Sequence, residues 1–230
     1  MIAMNEDTYI IIPAYNEGSA VRPVIKQVQA FYSHIVCIDD GSKDDTATEI
    51  AKTKAHLVRH PINLGQGAAL QTGIEFALQD KDAKYFVTFD SDGQHSLDDV
   101  AHMLEVIKKE NLDIVLGSRF LGKTENITAT KKVILKLAIL FTNRTSGLKL
   151  TDTHNGLRVF NRATAEKLNI ANPDFSHASE IIDKIAAFKL RYKEVPVTIK
   201  YTDYSKQKGQ SIFNAVNMGL DLLFDRFTKR

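Results

Sequence analysis

The chain has no tryptophan, one cysteine and five prolines in 230 residues. A single thiol, Cys37, excludes a disulfide framework within the chain and suits a reducing compartment. Set in the apolar run HIVCID, it is expected to be a small buried hydrophobe. An excess of one charge is missing too: 30 Lys and Arg against 28 Asp and Glu leave a net charge of +2. Nucleic-acid binding by bulk charge is therefore not expected. No stretch has the roughly 20 apolar residues that cross a bilayer. The longest, Val133–Phe141, is interrupted by Lys136. The start, MIAMNEDTY, is polar and acidic where a secretory leader is basic and then apolar, so no leader is expected. No internal repeat or low-complexity segment is visible. What is there, 43% hydrophobic and 25% charged residues, suits one soluble α/β domain with a full core.

Short apolar runs alternate with helical patterns. Strands are expected at Thr8–Pro13, His34–Asp39, Ala55–Arg59, Lys84–Phe89 and Asp113–Gly117. They are β-branched and apolar on both faces, as buried parallel strands are. Helices are expected at Ser19–Tyr32, Asp44–Lys54, Gln66–Gln79 and Leu97–Lys109. In the last, Val100, Met103, Leu104 and Ile107 form one apolar face. This alternation predicts a doubly wound, mostly parallel sheet. Further on, a long helix is expected over Thr128–Thr145, a strand at Leu157–Phe160, and helices near Arg162–Leu168 and Ala178–Phe188. Tyr192–Lys200 reads as a strand, and a polar segment then leads into an amphipathic C-terminal helix. With no linker in sight, residues 1–230 read as a single domain. Within it, 8–120 would form a nucleotide-binding half, 121–200 an acceptor half, and 201–230 a loop and helix.

Ligands of open parallel sheets sit beyond the carboxyl ends of the strands. Four polar clusters fall there: Pro13-Ala14-Tyr15-Asn16-Glu17, Asp39-Asp40-Gly41-Ser42, Asp90-Ser91-Asp92-Gly93-Gln94-His95, and Gly117-Ser118-Arg119-Phe120. Asp90 and Asp92 leave a buried strand two residues apart. Carboxylates that close repel unless a cation lies between them. A hard divalent ion, Mg²⁺ or Mn²⁺, fits, and it would bridge a diphosphate, with Gln94 or His95 completing the shell. A solvated Asp-Gly turn fits the same string. Asp39 and Asp40 suit a ribose or base, or a helix cap shared with Ser42 or Asp44. Asn63-Leu64-Gly65-Gln66-Gly67 is glycine-rich but lacks a phosphate-loop lysine, so its glycines also suit a helix that starts close to a ligand. His154 fits a structural hydrogen bond better than an acid–base role.

Taken in order, IIPAYNE (11–17), IDDGS (38–42), NLGQGAA (63–69), FDSDGQH (89–95), GSRF (117–120) and DTHNGLRVF (152–160) resemble the family 2 glycosyltransferases of the GT-A fold. Within that family the strings are most similar to the polyprenyl-phosphate glycosyltransferases and dolichyl-phosphate mannose synthases. The resemblance implies an inverting transferase that moves a hexosyl or N-acetylhexosaminyl unit from a UDP- or GDP-sugar. It implies that Pro13, Tyr15, Glu17, Ile38, Asp40 and Gly67 line the donor pocket. Asp90, Asp92 and Gln94 would hold Mg²⁺ or Mn²⁺, with Ser91 against the donor. Arg119 would meet phosphate, while Asp152, Asn155, Arg158 and Glu180 would lie in the transfer region. The donor loop of the family carries Arg-x-x-Gly-x-Ser-Lys. Here the stretch is Lys206-Gln207-Lys208-Gly209-Gln210-Ser211-Ile212, so Lys206 and Lys208 would meet the diphosphate as point charges.

Two features favour a lipid phosphate as acceptor. A sugar hydroxyl needs a carboxylate base, whereas a phosphate monoester is already ionised near neutrality. Family members that act on hydroxyls often carry an acidic pair where this chain has only Glu180. Between Arg119 and Lys149 the one acid is Glu125, while Lys131, Lys132, Lys136, Arg144 and Lys149 surround Val133–Phe141. Such a helix suits a membrane surface, a core or a dimer contact. The enzyme is expected in the cytoplasm, peripheral at the inner face of the membrane, with or without a small membrane protein or a second copy. Its product would feed cell-envelope glycans. Extension of a saccharide hydroxyl is the alternative. A nucleotidyltransferase fits less well because PAYNE is not a glycine- and lysine-rich loop, and a relict scaffold is opposed by the intact Asp90, Asp92 and Arg119.

Overall fold

The computed structural model describes residues 6–122, 124–125, 129–173 and 176–200. Seven strands form one sheet in the order β3-β2-β1-β4-β7-β5-β8. These are β1 (Thr8–Ala14), β2 (His34–Asp39), β3 (His56–Arg59), β4 (Tyr85–Thr88), β5 (Ile114–Ser118), β7 (Arg158–Asn161) and β8 (Tyr192–Pro196). Alternate strand residues point to opposite faces, and each face has its own core. Ile10, Ile12, Cys37, Val87, Val115 and Val159 pack under α1 (Val21–Gln29), α2 (Thr46–Ala51) and α4 (Leu97–Lys109). Ile11, Val36, Ile38, Phe86, Ile114 and Phe160 pack under α3 (Gln66–Leu78), α6 (Arg162–Leu168) and α7 (His177–Ala187). The doubly wound expectation holds, and Cys37 is buried in the core.

One strand runs against the others. β7 pairs antiparallel with β4 and with β5, with Thr88 opposite Arg158 and Leu116 also opposite Arg158. Its amino end therefore lies beside the carboxyl ends of its neighbours. This brings residues 152–158, which precede a strand, to the edge where the other strands deliver their polar ends.

Helix limits follow local chemistry. Ser96 caps α4 by accepting from Asp98 N at 3.3 Å. Asp98 and Asp99 lie in its first turn and Lys108 and Lys109 in its last, which complements the helix dipole. α2 is shorter than expected, and Asp44 accepts from Thr46 N at 3.0 Å just before it. Two strand expectations need correction. β3 is an exposed edge, with His56, Leu57 and Arg59 exposed, because among the described residues no strand pairs with its outer side. The strand expected over 192–200 is split: Val197 N bonds to Ser118 O and Thr198 N to Asp99, and the chain then turns into β9 (Ile199–Lys200). β9 pairs with β6 (Thr124–Glu125) in a separate ladder. α5 (Ala129–Ser146) matches the long helix expected. The expected C-terminal helix lies outside the described residues. Among the described residues no helix is long and apolar enough to cross a membrane.

Phe160 of β7 is fully buried and stacks on Phe86, with ring centroids 5.9 Å apart. Phe160→Ala is expected to lower unfolding free energy by about 3–5 kcal/mol, read from urea denaturation, because it leaves a cavity where the reversed strand is anchored. A loss under about 1 kcal/mol would contradict that anchoring.

Candidate active site

The first two strand ends are tied together. Asn16, with a positive φ of 52°, donates its backbone N–H to Ser42 Oγ at 2.9 Å and accepts from Lys43 N at 2.9 Å. Glu17 N donates to Thr46 Oγ1 at 2.7 Å. Tyr15 stays 42% exposed, whereas Pro13 is buried within β1. Ile38 turns its side chain into the core: it is fully buried beneath α3, where a Cβ on Gly73 would lie 2.7 Å from its Cδ1.

Asp40 is bonded within the protein. Its carboxylate accepts from Asn63 Nδ2 at 2.9 Å, Leu64 N at 2.9 Å and Gly65 N at 2.8 Å, and His60 Nδ1 lies 2.7 Å away. A carboxylate only accepts, so His60 Nδ1 carries the hydrogen. Asp40 thus fastens the 60–65 loop to the end of β2. Gly67 is used by the protein itself: its N–H donates to Pro173 O at 2.6 Å, and a Cβ there would meet Asn172 O at 2.1 Å. Asp39 keeps a different environment. Its buried Oδ2 lies 3.1 Å from Arg59 Nε, beside a recess of ≈ 360 Å³ lined by Gly41, Ser42, Arg59, His60 and Pro61. Arg59 carried no sequence signal beyond closing a strand.

The centre of the site lies where β4, β7 and β5 meet. Asp90 is reached by His95 Nε2 at 2.8 Å and by Gln66 Nε2 at 3.4 Å. A Cβ on Gly156 would lie 2.4 Å from Asp90 Oδ2, so only glycine lets this backbone approach the carboxylate. Burial works to raise the Asp90 pKa, but the charges of His95, Arg158 and His177 outweigh it and hold it low. For Asp92, burial and then the charge of Asp90 push the pKa up to about 6. Gln94 Nε2 donates to Asp92 Oδ2 at 2.5 Å. The structure thus brings Asp90, Asp92 and Gln94 together, with buried Ser91 between the two acids. Among the described residues no group of three His, Cys, Asp or Glu side chains is arranged to hold a metal. The protein therefore offers two carboxylates and an amide, a set that suits an ion completing its shell with phosphate oxygens and water.

Across from them is a cationic side. Arg158 is buried, and burial lowers its pKa to about 10 against the opposing pull of Asp90 and Asp152. Arg119, also buried, donates from Nε to Asp152 Oδ2 at 2.6 Å and from its backbone N at 3.1 Å. Asn155 is buried, with Oδ1 accepting from Leu157 N at 2.9 Å. Burial lowers the His154 pKa to about 4, and its Nδ1 meets Thr153 Oγ1 at 2.8 Å, consistent with a neutral structural ring. Glu180 is not drawn into this group. Its oxygens accept from Ala171 N at 2.9 Å and Asn172 N at 2.8 Å, and Lys184 lies at 2.7 Å. Lys206, Lys208 and Ser211 lie outside the described residues.

Residues 9–168 match the family model described as glycosyl transferase family 2. The chain belongs to that family. It is a glycosyltransferase, and its sheet with the reversed β7 is a GT-A fold. It is 33% identical to the UDP-N-acetylglucosamine–dolichyl-phosphate N-acetylglucosaminyltransferase of Methanococcus voltae, over 89% of this chain and 90% of that protein. It is 27% identical to the polyprenol monophosphomannose synthase of Mycolicibacterium smegmatis, over 91% and 84%. In fold it is similar to glucosyl-3-phosphoglycerate synthase of Mycobacterium tuberculosis, solved with Mn²⁺ and UDP-glucose, with a TM-score of 0.63. That likeness spans 89% of this chain and 74% of the synthase at 16% identity.

The raised Asp92 makes a prediction without any ligand. A folded-state pKa above the unfolded value gives stability that is present at low pH and lost as pH rises through about 6. Metal-free Asp92→Asn is therefore expected to melt higher than wild type at about pH 8, with the gap closing toward about pH 4.5. Differential scanning fluorimetry across this range reads it. A gap independent of pH would contradict the electrostatic cause.

Proposed function

We propose that this glycosyltransferase moves a sugar from a UDP- or GDP-sugar to a polyprenyl phosphate at a membrane surface. The observation that carries the acceptor is the state of the carboxylates opposite Asp90 and Asp92. Asp152 is held by Arg119 and by His154 N, and Glu180 by two backbone N–H groups and Lys184. Neither stands open as a base for a sugar hydroxyl. Arg119 and Arg158 instead supply the positive field that an ionised phosphate nucleophile needs. The relatives support the same class, since one is named for dolichyl phosphate and another for a polyprenol phosphate.

On the donor side, Asp90, Asp92 and Gln94 would hold Mg²⁺ or Mn²⁺. The crowding that lifts Asp92 is relieved by a divalent charge, and the fold neighbour carries Mn²⁺ with its UDP-sugar. When bound, such an ion neutralises charge on the departing nucleoside diphosphate. Tyr15 and Glu17 suit the nucleotide, and Asp39 with Arg59 flank the recess that suits its base. Arg119 and Arg158 seat the acceptor phosphate, and Asp152 keeps Arg119 in place.

α5 supplies the approach to lipid. Val133, Leu137 and Leu140 recur on one face and are 58%, 61% and 66% exposed, so that face is not part of the core that the described residues form. Lys132, Lys136 and Arg144 are exposed beside it. Apolar residues flanked by cations suit an anionic bilayer surface.

Two measurements test this. Purified protein, Mn²⁺ and labelled UDP- or GDP-sugars are incubated with undecaprenyl or dolichyl phosphate. Lipid-extractable label is expected, falling about a hundredfold or more in Asp92→Asn. Label found only on a saccharide would sink the acceptor assignment. Separately, wild type is expected to sediment with vesicles containing phosphatidylglycerol, and Leu137→Ser with Leu140→Ser to stay in the supernatant. Equal sedimentation of both would remove α5 from the membrane contact.

A further inference from the structure

Glu194 sits outside every motif, yet it stands behind the acceptor side of the site. It lies on β8, in register with Leu116 of β5. Its Oε1 accepts from Thr151 N and Asp152 N, both at 2.9 Å, and its Oε2 accepts from Thr151 N at 2.7 Å. These bonds fall on a stretch between α5 and β7 that has no helix or strand of its own to hold it. The next link is Asp152, whose Oδ2 takes the Nε and backbone N–H of Arg119 and whose Oδ1 takes His154 N at 3.2 Å. A side link runs from Ser118 Oγ to Thr151 Oγ1 at 2.7 Å. Burial pushes the Glu194 pKa up, and the same backbone N–H groups oppose that rise.

We infer that Glu194 is a positioning residue: by fixing the backbone of residues 151–152 it sets where Asp152, and through it the Arg119 guanidinium, points. A carboxylate on a strand is a rigid anchor, whereas an irregular turn is not. Asp152 Oδ2 meets both the Nε and the backbone N–H of Arg119, so a displaced turn bears on the guanidinium. What Arg119 then engages, an acceptor phosphate, rests on the function proposed above.

The test separates positioning from a mere staple between β8 and the turn. The Nε–H resonance of Arg119 is followed by NMR in the intact protein. In wild type it is expected to be protected from exchange, and in Glu194→Ala to lose that protection. The KM for polyprenyl phosphate is expected to rise about tenfold in Glu194→Ala, with kcat changed less. Glu194→Gln keeps one oxygen able to accept both N–H groups, so it is expected to recover most of both signals. It also covers the case in which the alanine variant fails to fold. In a double-mutant cycle, Glu194→Ala is expected to add little to Arg119→Lys, because one acts through the other. A lower melting temperature with unchanged Arg119 exchange, or losses that simply multiply, would overturn the inference. If wild type transfers no sugar to lipid phosphate, the proposed acceptor fails, and the Arg119 resonance still decides the role of Glu194.

Discussion

Arg158 is a guanidinium almost cut off from water; burial lowers its pKa to about 10, and the charges of Asp90 and Asp152 oppose that fall. Burying such a charge costs several kcal/mol unless opposite charges and hydrogen bonds answer it within a few ångströms. Much of the central architecture follows. Arg158 opens β7, so β7 must run backwards for that opening residue to lie beside Asp90 at the end of β4. Gly156 has to lack a side chain for the backbone to come that close. Asp152 then holds Arg119, and Glu194 holds the backbone of Asp152. Asp90 and Asp92 on one side and Arg119 and Arg158 on the other are thus two sides of one charged cluster.

This arrangement explains how a site can be rigid where it is built from loops. Strand ends 1 and 2 are stitched by Asn16, Ser42 and Thr46. The turn before β7 is stitched by Asn155 to Leu157 N and by Glu194 to residues 151–152. Groups aimed at developing charge work best when they do not reorganise during the reaction. The polar bonds beneath the site serve that end.

Much of this was legible in the residues. Apolar runs marked β1 to β5 and β7 to within a residue or two, because buried strands of this kind leave a plain hydrophobic trace. The polar strings at their ends marked the candidate site, because parallel strands deliver their last residues to one edge. Hydrophobicity says nothing of strand direction, so the reversal of β7 was not legible, and neither was the reason for DTHNGLR joining the cluster. Ile38 shows a related limit: it sits in a family motif, but its side chain belongs to the core. Glu194 has no motif at all. Its role exists only through contacts 42 and 43 residues away along the chain.

Asp40 has a consequence beyond geometry. Its carboxylate already closes the 60–65 loop with three hydrogen bonds and His60. A loop fastened during folding has surrendered its conformational entropy before any ligand arrives, so association need not supply it again. The acid at the end of β2 is thus a latch set in advance.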